Sequence, residues 1–223
     1  MRARGFTLIE LLVAIGVMAL MAGLSWRGLD GMARTQSQLQ RRSDQVMTLQ
    51  AALGQWSADL DGMVQLPMTP ALDWDGRALR VLRRSTASPG AGLIVVAWSR
   101  RSVDGAGQWL RWQSPPVVTR GELQNAWSSA AQWAQNPSDA DKRYEVAVAA
   151  LDEWKVFYYR GDAWTNPLSS DSAAPPVASA KPTGVDVNLP DGIRLVLSLP
   201  PGEAIGGTLT RDWVRLGLGG GKS

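Results

Sequence analysis

The polarity of the chain falls into two regimes. From Phe6 to Leu24 the positions are uncharged except for Glu10. At about 1.5 Å per residue this run makes a helix of roughly 28 Å, the thickness of one hydrocarbon core. No proline occurs between Trp26 and Gly62, and the apolar positions there recur at helical spacing. Leu39, Val46, Leu53 and Leu60 repeat every seven residues, and Leu49, Trp56 and Met63 form a second series three residues on. Together they make a 3-4 apolar stripe, while Arg34, Gln38, Arg41, Arg42, Asp44 and Gln45 suit solvent. One helix is therefore predicted from Phe6 to about Gly62, roughly 85 Å long at the usual rise. Gly23, Gly28 and Gly31 mark where it bends most easily, because glycine costs up to ~1 kcal/mol in a helix. The stripe needs a cover. A parallel coiled coil is one solution; packing against the chain's own strands is the expected one, because those strands need a covering helix.

After Pro67 the period shortens. Leu72-Asp73-Trp74, Arg77 to Arg83, Gly92 to Arg100 and Gln108 to Gln113 read as strands, with Asp75-Gly76 as a hairpin turn. Leu93 to Trp98 is continuously apolar and is the predicted central strand. Trp109-Leu110-Arg111-Trp112 does not alternate cleanly. Glu122 to Gln135 predicts a helix with Leu123, Trp127, Ala130, Ala131 and Ala134 on one side, set off by Pro115-Pro116 and Asn136-Pro137. Tyr144 to Leu151, Glu153 to Arg160, Ile193 to Leu199 and Leu209 to Leu218 follow as strands, with a Pro-, Ser- and Ala-rich loop from Asn166 to Asn188. The fold class is α+β: a long N-terminal helix packed against a mostly antiparallel sheet. The segments are residues 1–5, 6–25, 26–63 and 64–223.

Composition removes several chemistries. There is no histidine and no cysteine, so disulfides, cysteine nucleophiles, Cys-based zinc sites and His-dependent catalysis are excluded. The net charge of +3 includes Arg2 and Arg4, and no nucleic-acid patch is needed to explain it. Those two arginines precede the span and favour a cytoplasmic N-terminus. No P-loop, dinucleotide fingerprint or G-x-S-x-G occurs. Eleven tryptophans against two phenylalanines point to a Trp-rich core, with a sugar, lipid or partner surface as the other use.

Arg4-Gly5-Phe6-Thr7-Leu8-Ile9-Glu10-Leu11-Leu12 resembles the N-terminal motif of type IV pilins and type II secretion pseudopilins. A secretory signal peptide and an ordinary signal anchor compete for this stretch; small residues such as Ala19, Ala22 and Gly23 suit the former, and the latter explains the length but not Glu10. The resemblance implies cleavage by prepilin peptidase between Gly5 and Phe6, N-methylation of Phe6, and a role for Glu10 in filament assembly by pairing with a neighbour's N-terminal amine. Trp154-Lys155-Val156-Phe157-Tyr158-Tyr159-Arg160 with Trp164, then Leu189-Pro190-Asp191-Gly192-Ile193-Arg194-Leu195, is similar to the minor pseudopilins of the J type. That further resemblance implies a non-enzymatic subunit without cofactor, held in the bacterial inner membrane with its sheet domain in the periplasm. Its implied partners are the I and K types in a tip complex, the H and G types, and the inner-membrane secretion platform. The expected partner face is the upper helix, with Leu39, Val46, Leu49, Leu53, Trp56 and Leu60.

Two weaker readings attach to acidic residues. Asp73, Asp75, Asp139 and Asp141 could be calcium ligands, although neither cluster offers the six to eight oxygens the ion takes, and turn formation is the simpler use. Asp59 and Asp61 resemble a two-carboxylate hydrolase pair at a helix end. A membrane-anchored hydrolase or Trp-lined binding module therefore stands as the competitor from another class, and a type IV minor pilin as the nearer one.

Overall fold

The structure is a computed structural model that describes residues 7–86, 90, 92–169 and 189–215. It forms two compact units, Met1–Asp44 and Gln45–Ser223. The first helix, α1 (Leu8–Asp61), contributes to both and runs through Gly23, Gly28 and Gly31 without interruption.

In the first unit α1 is exposed nearly throughout. Its polar stretch is laced by local contacts: Arg34 pairs with Asp30 at 2.8 Å and Gln40 donates to Asp44 at 3.0 Å. Such i,i+4 contacts give only a few tenths of a kcal/mol each.

The second unit holds the last turns of α1 and two antiparallel sheets. The first sheet runs β1 (Leu72–Trp74), β2 (Ala78–Arg84), β3 (Leu93–Val103), β4 (Ala106–Gln113) and β5 (Glu145–Ala150), in chain order. Between β4 and β5 lie α2 (Arg120–Gln135) and the short α3 (Asp139–Lys142). The second sheet is built from β6 (Glu153–Arg160), β7 (Ala163–Thr165), β8 (Gly192–Leu199) and β9 (Gly207–Val214), ordered β7-β6-β8-β9. The expected α+β class, the central place of the Leu93–Trp98 run and the Asp75-Gly76 turn are all present. Asp75 Oδ1 makes that turn by accepting from the Arg77 and Ala78 amides at 2.9 and 2.8 Å.

Both faces of the first sheet are covered. Leu79, Val81, Ile94, Val96, Trp98 and Trp109 join Leu49, Ala52, Trp56 and Leu60 of α1 in one core. Ala78, Leu82, Val95, Ala97, Leu110 and Trp112 join Leu123, Ala126, Ala130 and Trp133 of α2 in another. This explains the irregular Trp109–Trp112 run: Trp109 and Arg111 face α1, Leu110 and Trp112 face α2, and all four positions are at least half-buried. Strict polarity alternation marks a half-buried strand and is lost when both faces are dry. The second sheet closes the first core with Val156, Tyr158, Ile193, Leu195, Leu197 and Trp213.

Some boundaries differ from expectation. β3 and β4 extend to a tight turn at Asp104-Gly105, both at positive φ (52° and 82°), where a two-residue hairpin demands it. In α2 it is Trp133 that is fully buried, while Trp127 stays half-buried with Arg80 over its ring at 5.5 Å. The predicted last strand ends at Val214, and residues 216–218 lie outside the described residues, as do 170–188 of the predicted loop.

Candidate functional site

The apolar head of α1 is the first candidate. Thr7 and Glu10 form reciprocal hydrogen bonds at its start. The Thr7 amide and Oγ1 donate to Glu10 Oε2 at 3.0 and 2.8 Å, and the Glu10 amide donates back to Thr7 Oγ1 at 3.4 Å. This is the Thr-x-x-Glu capping arrangement, which satisfies amides that an α-helix leaves open and contributes about 0.5–2 kcal/mol. Thr7 was not among the expected site residues, although the Thr7-Leu8-Ile9-Glu10 spacing carries the signal. Gly5 and Phe6, the expected cleavage and methylation positions, lie outside the described residues.

Downstream of Glu10 the helix presents Leu11, Leu12, Val13, Ile15, Met18, Leu20, Met21 and Leu24 to its surroundings, all exposed. The segment is long and apolar enough to cross a membrane, and none of its most apolar window is buried. A core helix of a water-soluble protein would bury that face. At roughly 25 cal/mol per Å² of apolar surface, leaving it in water is untenable, so lipid or other helices must cover it.

The second candidate is the stripe on the upper helix. Leu39 is 63% exposed and Val46 is half-buried. Leu49, Trp56 and Leu60 are buried, and Leu53 packs against the same cluster. The partner face expected over Leu39 to Leu60 is thus corrected at these positions: the chain's own sheets occupy them, and Leu39, with part of Val46, remains free. Leu49→Ala should cost about 2–5 kcal/mol in thermal unfolding. Leu39→Glu should stay within about 0.5 kcal/mol of the parent.

The acidic residues have structural work. Asp59 is fully buried and its carboxylate is saturated. Oδ1 accepts from Gln55 Nε2 at 2.8 Å, Arg83 Nη1 at 2.5 Å and Arg111 Nη2 at 2.9 Å. Oδ2 accepts from Trp98 Nε1 at 2.9 Å and Arg111 Nε at 2.7 Å. Asp61 Oδ1 accepts from Trp213 Nε1 at 2.8 Å. The two carboxylates therefore serve separate anchors, Asp59 in the core and Asp61 at the exposed end of α1. Asp73 and Asp75 both pair with Arg80, and Asp141 caps α3 through Ser138. Among the described residues no group of three acidic side chains is arranged to hold a metal ion.

Six of the eleven tryptophans are buried in the cores, whereas Trp26 is 74% exposed. Trp56, Trp98 and Trp109 pack at centroid distances of 4.5–5.9 Å, with Trp154 at 6.4 Å from Trp56. Trp112 stacks on Trp133 at 6.3 Å, and Trp133 Nε1 donates to Glu145 Oε2 at 2.6 Å. Trp56, Trp98, Trp109 and Trp133 are fully buried, so the Trp-lined sugar or substrate surface has no material there.

Residues 1–26 match the prokaryotic N-terminal methylation motif. The motif sits at the head of an exposed apolar helix, the single one of membrane-spanning length among the described residues, which is followed by antiparallel sheets. Together these observations support membrane anchoring by one span and a type IV pilin-like or pseudopilin-like class for this chain.

Proposed function

We propose that this chain is a minor pseudopilin of the J type, a non-enzymatic structural subunit at the tip of a type II secretion pseudopilus. The observation that carries the reading is the bare apolar helix behind the methylation motif. Its stable environment is either lipid or a bundle of similar helices, and transfer from one to the other is the physical content of filament assembly. In this reading prepilin peptidase cuts after Gly5, and Phe6 becomes a methylated amine. Glu10 then pairs with the amine of a neighbour. Each charge is costly alone in a low-dielectric layer, and pairing offsets much of that cost. The N-terminus is cytoplasmic and the sheet domain periplasmic, with I- and K-type subunits as partners and H- and G-type subunits below. The Trp154–Trp164 and Leu189–Leu195 segments favour the J type over a type IV minor pilin; they form β6, β7 and the start of β8.

Mass spectrometry of the mature chain tests the class. The expected product begins at a methylated Phe6. An intact Met1, or a start after Ala19 or Ala22, overturns it. Co-purification with I- and K-type subunits tests the subtype. Retention with pilus subunits in their place favours the minor-pilin alternative.

A further inference from the structure

Among the described residues outside α1, the two most exposed large apolar side chains are Met68 (93%) and Val118 (87%). They sit on the same surface feature. A groove of about 600 Å³ runs between the 66–70 turn and α2, with Met68 on one wall and Leu123 and Trp127 on the other, interleaved with the polar Gln124, Asn125 and Ser128. It continues into a smaller recess lined by Leu66, Val117 and Val118, and both parts share Thr69, Arg120 and Leu123. Met68 reaches the wall from a backbone at φ 59°, a conformation that glycine adopts far more readily than methionine.

The charge at the mouth favours an acidic occupant. No acidic residue lines either part of the groove, and Arg120 is the cation in both. Arg120 is exposed and makes no ion pair among the described residues. The nearest carboxylate in sequence, Glu122, is turned away to accept from the Val118 and Thr119 amides at 2.8 and 3.0 Å. We infer that this groove docks a segment of a second protein that presents an apolar side chain beside a carboxylate. The apolar side chain fills the space between Met68, Leu123 and Trp127, and the carboxylate pairs with Arg120. A charge-assisted guanidinium–carboxylate contact at the rim fixes orientation, while the buried apolar group supplies most of the affinity. The inference holds for any filament the chain enters and does not rest on the subtype.

A benzophenone-bearing residue in place of Val118, in the full chain in its native membrane, tests this directly. Irradiation should give one discrete protein adduct. The peptide joined to it should carry an apolar residue within two positions of Asp or Glu. Arg120→Glu should lower the adduct yield at least five-fold. Met68→Gly should lower it similarly while holding or raising the thermal midpoint, because glycine relieves the positive φ. If Met68→Gly instead lowers the midpoint, the exposed Arg120→Glu variant alone decides. Absence of an adduct, adducts with lipid or with a second copy of this chain, a joined peptide without a carboxylate, or yields unaffected by Arg120→Glu would each overturn the inference. The mature N-terminal mass is independent of all these outcomes.

Discussion

Asp59→Ala should destabilise the sheet domain by about 3–5 kcal/mol, the usual cost of removing one member of a buried ion-pair network. In a unit of this size each kcal/mol moves the thermal midpoint by roughly 2–4 °C, so a drop on the order of 10 °C is expected. The reason lies in what is left behind. Asp59 pairs with Arg83 from β2 and Arg111 from β4, one negative charge against two positive, and accepts the indole N–H of Trp98 from β3. Its loss strands two guanidinium groups and one indole N–H in a dry site. The combined replacement Asp59→Leu, Arg83→Met, Arg111→Met should recover much of the lost stability, because an apolar set of similar volume removes the charges together. A loss below about 1 kcal/mol for Asp59→Ala, read by thermal or urea unfolding, would show that the network does not anchor α1 to the sheet.

Glu10→Leu should leave insertion and processing intact yet reduce filament incorporation by roughly 10–100-fold, the equivalent of one charge-assisted hydrogen bond at ~1.5–3 kcal/mol. Two functions share this side chain. It caps α1 through Thr7 in the chain described, and in the proposed filament it pairs with a neighbouring amine. Glu10→Gln separates them. Glutamine keeps the capping geometry and removes the charge, so it should preserve the helix start and still fail in assembly. Cross-linking or shear-fraction assays of incorporated subunit read both variants. Parental incorporation of Glu10→Gln would sink the electrostatic role.

The elements that were readable in the sequence are those whose periodicity is dictated by one neighbour. The apolar head of α1, the Leu93–Trp98 run and the Asp75-Gly76 turn each follow from local chemistry. The methylation motif was readable for the same reason, being contiguous. What escaped was set at long range. The stripe from Leu49 to Leu60 predicts a cover from the chain's own sheet, but not which of its residues that cover uses up and which stay open to a partner. Asp59 looks like an ordinary helix-end carboxylate until Arg83 and Arg111, 24 and 52 residues away, converge on it. Trp127 and Trp133 both pack on the core side of α2, yet only Trp133 is fully buried, where the distant Glu145 accepts its indole N–H. The groove beside Met68 joins segments some fifty residues apart and has no local signature at all.

The double covering of the first sheet carries a hazard for the folding chain. When a strand has one greasy side and one wet side, sliding it by a single position exposes the wrong side and is rejected by water. β3 and β4 lack that safeguard over their central residues, because either parity meets an apolar layer. Misalignment by one must be penalised by something other than solvent. Arg111 and Trp98 reach Asp59 in one alignment and are carried to the opposite layer by a one-position slip. The buried charge then acts as a proofreader of strand alignment, and errors during refolding should accumulate most when it is absent.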